Sequence, residues 1–129
     1  MTDNPIEIWH RLVRSQDPSG LSALLAEDAV FYSPVVHTPQ RGRRLVAAYL
    51  SAAFQVFFNP TFRYVRQIVG ASDAVLEFET EIDGIQVNGV DLIKWNEAGQ
   101  ITEFKVMIRP LKAINLIHHR MSAMLQTRQ

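Results

Sequence analysis

The sequence predicts one α+β domain in which helices pack on one face of a curved antiparallel β-sheet. Three observations predict this class. Apolar residues recur at helical spacing in the first half of the chain, apolar and polar residues alternate with period two from Thr61 to Arg109, and helical spacing returns after Pro110. The predicted order is therefore α-α-β-α-β-β-β-β-α. No shift in composition divides residues 1–129 into two domains.

The first helix is predicted to begin at Asn4–Glu7, which combines a capping side chain, a proline in the first helical position and a glutamate three residues after the cap. Its apolar stripe consists of Ile6, Trp9, Leu12 and Val13. Residues 17–20 break this helix, and a short second helix carries Leu21, Leu24 and Leu25. A short strand follows from Val30 to Ser33 and ends at Pro34.

Residues 34–42 contain two prolines and no periodicity, which predicts a loop, and a third helix then spans residues 43–58. Four strands are predicted after it, at residues 61–71, 74–82, 87–95 and 101–109. A final amphipathic helix carries Ile114, Ile117, Met121 and either Met124 or Leu125.

The turn between the second and third of these four strands has two candidates. Asp83-Gly84 and Asn88-Gly89 are both hairpin signals. We favour Asp83-Gly84, because it leaves the following strand long enough to pair. The next hairpin is predicted at residues 96–99, which end in a glycine that can adopt a positive φ.

Composition excludes several classes of function. Thirteen basic and thirteen acidic side chains cancel, so the chain lacks the positive charge that nucleic-acid binding requires. There is no cysteine, which excludes disulfides, thiolate nucleophiles and cysteine-ligated zinc. Residues 1–7 do not resemble a signal peptide, and no apolar stretch is long enough to cross a membrane. We expect a cytoplasmic protein that binds neither nucleic acid nor membranes.

Asp91 is the most informative residue. It shares a predicted strand face with Val87, Ile93 and Trp95. If that face points inward, desolvation raises the pKa of the carboxyl, which can then stay neutral at pH 7 and donate a hydrogen bond or carry a proton. The alternative places Asp91 on the outer face, paired with Lys105, and spacing alone leaves both open.

Histidines supply the other titratable candidates. His37 lies in the proline-rich loop, where it is either a surface residue or an acid or base at the rim of a pocket. His118 and His119 are adjacent on a helix and therefore point in different directions. Without cysteine or an H-x-x-x-H spacing, we predict no metal site and no cofactor.

With these residues placed, the chain resembles the nuclear-transport-factor-2-like superfamily, in particular its ketosteroid-isomerase-like and SnoaL-like branch. Two stretches carry the resemblance, residues 24–35 followed by Arg41-Gly42, and residues 90–101. The resemblance implies a cone-shaped fold whose helices pack on the concave face of the sheet. It also implies an internal pocket for an apolar small molecule, and a homodimer through the outer sheet face, which here carries Glu79, Lys105 and Met107.

The resemblance also implies roles for individual residues. Asp91 falls where the isomerases keep a protonated Asp and the cyclases an acid–base Asp. Ser33 stands where the isomerases have their general-base Asp, and Trp9 stands where they have an oxyanion-binding Tyr. His37 is the best replacement base, so Asp91 and His37 are the predicted catalytic pair. The predicted binding residues, most of which are otherwise simply core, are Trp9, Tyr32, Ser33, Tyr49, Phe54, Phe58, Ile93, Phe104, Val106 and Ile108.

Three functions fit these observations. The first is a cofactor-independent acid–base enzyme of isomerase, cyclase or hydrolase type, acting on an apolar substrate with a carbonyl or epoxide-like group. The second is a pocket that binds a hydrophobic ligand without turnover. The third is a protein-interaction module that works through its surfaces and a dimer. The fold alone does not choose among them, because it hosts many functions.

Overall fold

Helices and strands occur in nearly the predicted order. The computed structural model describes residues 4–127, and within them the chain forms four α-helices and six β-strands. The helices are α1 (Pro5–Ser15), α2 (Leu21–Leu24), α3 (Arg43–Phe57) and α4 (Leu111–Thr127), and one 3-10 turn at Pro18–Gly20 precedes α2. The strands are β1 (Leu25–Tyr32), β2 (Gln40–Arg41), β3 (Arg63–Val69), β4 (Asp73–Ile82), β5 (Ile85–Trp95) and β6 (Ile101–Arg109).

The six strands form one curved, open sheet in the order β2-β1-β6-β5-β4-β3. This confirms the predicted α+β class. The sheet is mixed rather than wholly antiparallel, because β1 pairs with β6 in parallel, with Phe31 opposite Phe104. Parallel neighbours need a long crossover connection, and residues 33–100 provide one through α3 and four strands.

Two local predictions differ from the structure at β1 and β2. Strand β1 begins at Leu25 rather than Val30, because Leu25 pairs with Ile101 and is fully buried. Leu25 therefore belongs to the sheet and not to the second helix, so tertiary pairing overrides the local helical spacing. The predicted loop also contains β2, which pairs Gln40 with Phe31.

The hairpin between β4 and β5 turns at Asp83 and Gly84, whose φ angles are 52° and 77°. Two successive positive φ values are what a tight hairpin turn requires, so the favoured prediction is confirmed. The alternative at Asn88-Gly89 is wrong. Gly89 lies inside β5, where an added Cβ would sit 2.5 Å from Cζ of Phe78.

Alternation along β4 and β5 separates a buried face from an outer face. Leu76, Phe78, Thr80 and Ile82 are buried as predicted, and Val87, Asp91, Ile93 and Trp95 are buried on the neighbouring strand. Helices α1, α3 and α4 contribute Trp9, Leu50, Phe54, Ala113 and Ile117 to the same core. The hydrophobic core therefore lies between the inner sheet face and the helices, and Asp91 lies within it. None of the helices in residues 4–127 has the length and apolar character needed to cross a bilayer.

Candidate functional site

A cavity of about 130 Å³ opens between the inner sheet face, the helices and the loop after β1. Most of its lining is apolar and rich in aromatic rings. The lining residues are Trp9, Phe31, Ser33, Pro34, Val35, Val36, Tyr49, Leu50, Ala53, Phe57, Phe58, Phe62, Phe78, Asp91, Phe104, Val106, Ile117, His118, Met121, Ser122 and Leu125. An apolar cavity with a few polar groups is typical of sites for small organic molecules.

A chain of three hydrogen-bonded side chains ends in this cavity. The indole Nε1 of Trp9 donates to the hydroxyl of Tyr64 over 2.9 Å. The hydroxyl of Tyr64 donates to Oδ2 of Asp91 over 2.8 Å. These residues come from α1, β3 and β5, so three separate elements meet at one carboxyl group.

The direction of this chain follows from the donor inventory. An indole N–H only donates, so the Tyr64 oxygen must accept from Trp9 and its single proton is left for Asp91. Because Oδ2 of Asp91 accepts that proton in a hydrogen bond, a neutral Asp91 carries its own proton on Oδ1. Both hydrogen bonds in this chain are therefore donated in the direction of the carboxyl group, and its oxygen Oδ1 remains available to another partner.

The second oxygen of Asp91 faces the cavity. Oδ1 has no hydrogen-bond partner among residues 4–127. In the same part of the chain, no fully enclosed side-chain nitrogen or oxygen lacks a partner. Oδ1 must therefore reach open space, and Asp91, although only 6 % exposed, lines the cavity.

Burial raises the pKa of the Asp91 carboxyl group into the neutral range. Loss of solvent raises the pKa of Asp91 to about 7, and the hydrogen bond from Tyr64 opposes that rise. Burial also raises the pKa of Tyr64, with the charge of Asp91 adding to the effect. Tyr64 thus stays a neutral donor, while Asp91 is present in both protonation states near pH 7.

Aromatic and polar neighbours hold Tyr64 in place. The ring of His10 contacts it edge-on with centroids 5.2 Å apart, and Phe62 does so at 5.1 Å. A ring nitrogen of His10 lies 2.6 Å from the side-chain oxygen of Gln67, which anchors α1 to β3. Since Tyr64 has little freedom to turn, it acts as a positioning residue for Asp91.

The pH dependence of stability provides one test of the buried carboxyl. A folded pKa near 7 means that from about pH 4 to 7 the folded protein keeps a proton that the unfolded chain has released. The stability contributed by Asp91 is therefore complete below pH 4 and is lost as the pH rises through 7. Relative to Asp91→Asn, which cannot titrate, the wild type should lose up to about 1.4 kcal/mol per pH unit between pH 5 and 7.

Urea unfolding of the two proteins at pH 5, 6, 7 and 8 measures this difference. A difference in unfolding free energy that stays constant across the series would contradict a buried carboxyl with a raised pKa.

Sequence-predicted residues fall into two groups. The inward orientation of Asp91 is confirmed by its burial, and the pairing with Lys105 is wrong, because Lys105 lies opposite Leu92 on the other face. The predicted binding residues that line the cavity are Trp9, Ser33, Tyr49, Phe58, Phe104 and Val106. The buried indole N–H of Trp9 has a polar partner in the hydroxyl of Tyr64.

Four predicted binding residues do not line the cavity. Strand alternation turns Tyr32 away from Phe31, and the ammonium of Lys105 lies 4.9 Å from the centre of its ring. Phe54 is buried behind the wall and packs against Trp9 at 5.6 Å. Ile93 is in the core and Ile108 is half-buried on the last strand.

His37 is exposed and is not among the residues that line the cavity. The Ser33 hydroxyl accepts from the backbone N–H of Val35 and of Val36, which turns the chain after β1. That turn presents both valines to the cavity, while His37 lies beyond it in the loop. The catalytic role of His37 stays a prediction without support from its position.

Tyr64 is the residue that sequence reasoning missed. Phe62 and Tyr64 are two apart in a predicted strand, and this aromatic pair at period two was the available signal for an inward face. Contact with Asp91, which is 27 residues away, depends on the pairing of β3, β4 and β5. The described residues contain no cluster of three His, Asp or Glu side chains that could hold a metal ion.

Fold and site together define a class of protein: a curved sheet covered by helices, enclosing an apolar cavity with one buried carboxyl group. The sequence model of the SnoaL-like domain matches residues 6–104. The chain therefore belongs to the SnoaL-like family, which confirms the resemblance to the nuclear-transport-factor-2-like superfamily.

Solved structures agree with this assignment. A steroid delta-isomerase from Pseudomonas aeruginosa is 34% identical over 96% of this chain and 90% of its own, with a TM-score of 0.90. An uncharacterised protein with a cystatin-like fold from Silicibacter pomeroyi is 38% identical over 92% of this chain and 83% of its own, with a TM-score of 0.85. A protein of unknown function from Mesorhizobium loti shares the fold at 24% identity, 85% and 98% coverage and a TM-score of 0.70. No curated protein matches the chain significantly.

Proposed function

We propose that this protein is a cofactor-independent acid–base enzyme that acts on an apolar small molecule bound in the cavity. The observation that carries the proposal concerns Oδ1 of Asp91. This carboxyl oxygen reaches an apolar cavity and has no partner among residues 4–127, while Oδ2 accepts from the hydroxyl of Tyr64. A pKa of about 7 makes both the acid and its conjugate base available at neutral pH, which is the condition for efficient proton transfer.

One carboxyl group is enough for an isomerisation. Ionised Asp91 takes a proton from the carbon next to a carbonyl group, which leaves an enolate and a neutral Asp91. Neutral Asp91 then returns the same proton from Oδ1 to another atom of the enolate. The proton count is unchanged, and Tyr64 stabilises the ionised carboxylate at both ends of the cycle by donating to Oδ2.

The likeness to a steroid delta-isomerase supports an isomerase and an apolar ketone as its substrate. The substrate and the details of the site are expected to differ from those of ketosteroid isomerases. Ser33 stands at the position of their general base, and its hydroxyl accepts from two backbone N–H groups of the turn. Trp9 stands at the position of their oxyanion-binding tyrosine, and its N–H is already used by Tyr64. Asp91 therefore carries the proton transfer in this proposal.

A second candidate is binding of a hydrophobic ligand without turnover. The observation that favours it is that Asp91 is the only buried titratable carboxyl among the described residues that line the cavity, with His37 outside.

Turnover distinguishes the candidates. A panel of unsaturated ketones and epoxides is incubated with the protein and followed by absorbance and by deuterium incorporation from D₂O. Deuterium exchange into a compound, or its conversion, supports the enzyme. Binding of the compounds without exchange or conversion supports the binding protein.

We propose in addition that the protein forms a homodimer through the outer face of its sheet. Ile68 is 61% exposed and Met107 is 52% exposed on that face, next to the half-buried Val75, Val90 and Leu92. Ion pairs border the apolar surface, and one of them joins Arg63 to Glu79 at 2.7 Å. An exposed apolar patch with a polar rim is typical of a protein–protein interface.

Met107→Asp is expected to convert the dimer to a monomer, because it places a charge in the centre of this apolar surface. Sedimentation equilibrium at micromolar concentration measures the mass of wild type and variant against the 14.7 kDa monomer. Leu111→Asp is the matched control, since Leu111 is 70% exposed but lies at the start of α4. A wild type that sediments as a monomer would refute the dimer.

A further inference from the structure

Helix α4 forms one side of the opening of the cavity. Ile117 is 1% exposed and closes the interior, while the next residue, His118, lines the cavity and is exposed to solvent. Ser122 lies four residues after His118, which places the two side chains on one face of the helix. The cavity thus has a buried polar end at Asp91 and a second polar position at its mouth.

Both side chains at the mouth are free to bind a ligand. Neither the imidazole of His118 nor the hydroxyl of Ser122 has a hydrogen-bond partner within the described part of the chain. Each can supply one donor, N–H or O–H. Two donors on one helix face can both donate to a single ligand group that accepts hydrogen bonds, such as a carboxylate.

Acidic residues are distributed unevenly along the chain, although the whole chain is neutral. All thirteen acidic residues lie outside residues 33–60 and 110–129, which contain the loop after β1, α3 and α4. The same two segments carry six of the thirteen basic residues. Of these, Arg120 is paired with Asp83 at 2.6 Å, and Arg43 donates to the backbone carbonyl of Leu25. Asp91 is the only acidic side chain among the described residues that line the cavity, so a negatively charged ligand group at the mouth, away from Asp91, would meet no like charge there.

A carboxylate fits this position better than a phosphate. No arginine or lysine is among the described residues that line the cavity, so the strong multiple charge of a phosphate would lack direct partners. One imidazole and one hydroxyl can instead bind the two oxygens of a carboxylate.

We propose that the ligand of this cavity is an amphipathic keto acid, with its carbonyl group toward Asp91, an apolar body against the aromatic walls, and a carboxylate bound by His118 and Ser122 at the mouth. This inference rests on the proposed role of Asp91 and adds the chemical class of the substrate. His118 and Ser122 are specificity-determining residues, because they bind the end of the ligand that does not react.

The test uses 5-oxo-5-phenylpentanoic acid and its methyl ester, which share the ketone and the apolar body and differ only in the charged end. Isothermal titration calorimetry at pH 7 should show that the wild type binds the acid about tenfold more tightly than the ester. His118→Leu should remove this preference, and Ser122→Ala should reduce it. His119→Leu is the matched control, because His119 is the adjacent histidine but does not line the cavity.

Equal affinity of the wild type for acid and ester, or no binding of either compound, would overturn the keto-acid assignment. A preference that persists in His118→Leu, or that His119→Leu removes equally, would also overturn it. Asp91→Asn separates this inference from the proposed function. If that variant weakens binding of acid and ester alike while the wild type does not discriminate between them, the role of Asp91 stands and only the carboxylate end is refuted.

Discussion

Replacement of Asp91 by Asn is expected to lower turnover by about 10²–10⁴-fold, the usual cost of losing a general acid or base. The amide keeps the shape of the carboxyl group and can still accept from the Tyr64 hydroxyl, but it can neither take nor return a proton. The variant should stay folded, because the buried group is changed from a carboxyl to a neutral amide of the same size. Steady-state rates on a substrate from the ketone panel measure the effect, and the melting temperature checks the fold.

Variants of two other candidate residues, Ser33 and His37, serve as controls for this experiment. Ser33→Ala should leave most of the rate, because its hydroxyl serves the turn after β1. His37→Ala tests the sequence-based pairing of Asp91 with His37. An equally large loss in this variant would mean that the loop brings the imidazole to the cavity during the reaction. If the wild type converts a substrate and Asp91→Asn keeps the full rate, the assignment of Asp91 is wrong.

Gly89→Val is expected to destabilise the fold by about 1–3 kcal/mol or more, the range for inserting bulk into a packed core. A Cβ at this position would lie 2.5 Å from Cζ of Phe78 and 2.8 Å from the carbonyl oxygen of Met107. The ring of Phe78 can move only against Phe57 and Phe62, which contact it at 5.6 and 5.3 Å, and the carbonyl group belongs to the neighbouring strand.

Urea unfolding measures this effect, with Gln86→Val as the matched control. Gln86 is exposed on the same strand, so its replacement should change the unfolding free energy by less than about 0.5 kcal/mol. Equal stability of Gly89→Val and wild type would show that the strand relaxes around the added side chain, contrary to the close packing seen in the structure.

Much of the fold can be predicted from the sequence because its signals are local. The cap at Asn4 accepts from the N–H of Glu7 as expected, and the alternation in β4 separates inner from outer residues correctly. The turn at Asp83-Gly84 follows from the few residue types that tolerate positive φ. Each of these features depends on residues within about one turn or one strand, so no knowledge of distant contacts is needed.

The candidate site could not be predicted in the same way, because it depends on strand register and on contacts between distant segments. Alternation left the orientation of Asp91 open, since period two separates two faces without saying which one is covered. The pairing of β5 between β4 and β6, and the helices packed over its inner face, decided it. The same register brings Tyr64 to Asp91 and, through Tyr64, joins both to Trp9.

Sequence signals alone therefore predicted most of the helices and strands, the family and Asp91 as a candidate functional residue. Only the folded sheet and helices show that the Tyr64 hydroxyl donates to Asp91, that His37 lies outside the cavity and that α4 lines its mouth. These two kinds of feature differ because they depend on contacts over different distances along the chain. Capping, turns and alternation are set by neighbours along the chain, whereas desolvation and hydrogen bonding of a buried acid are set by residues that only the folded sheet brings together.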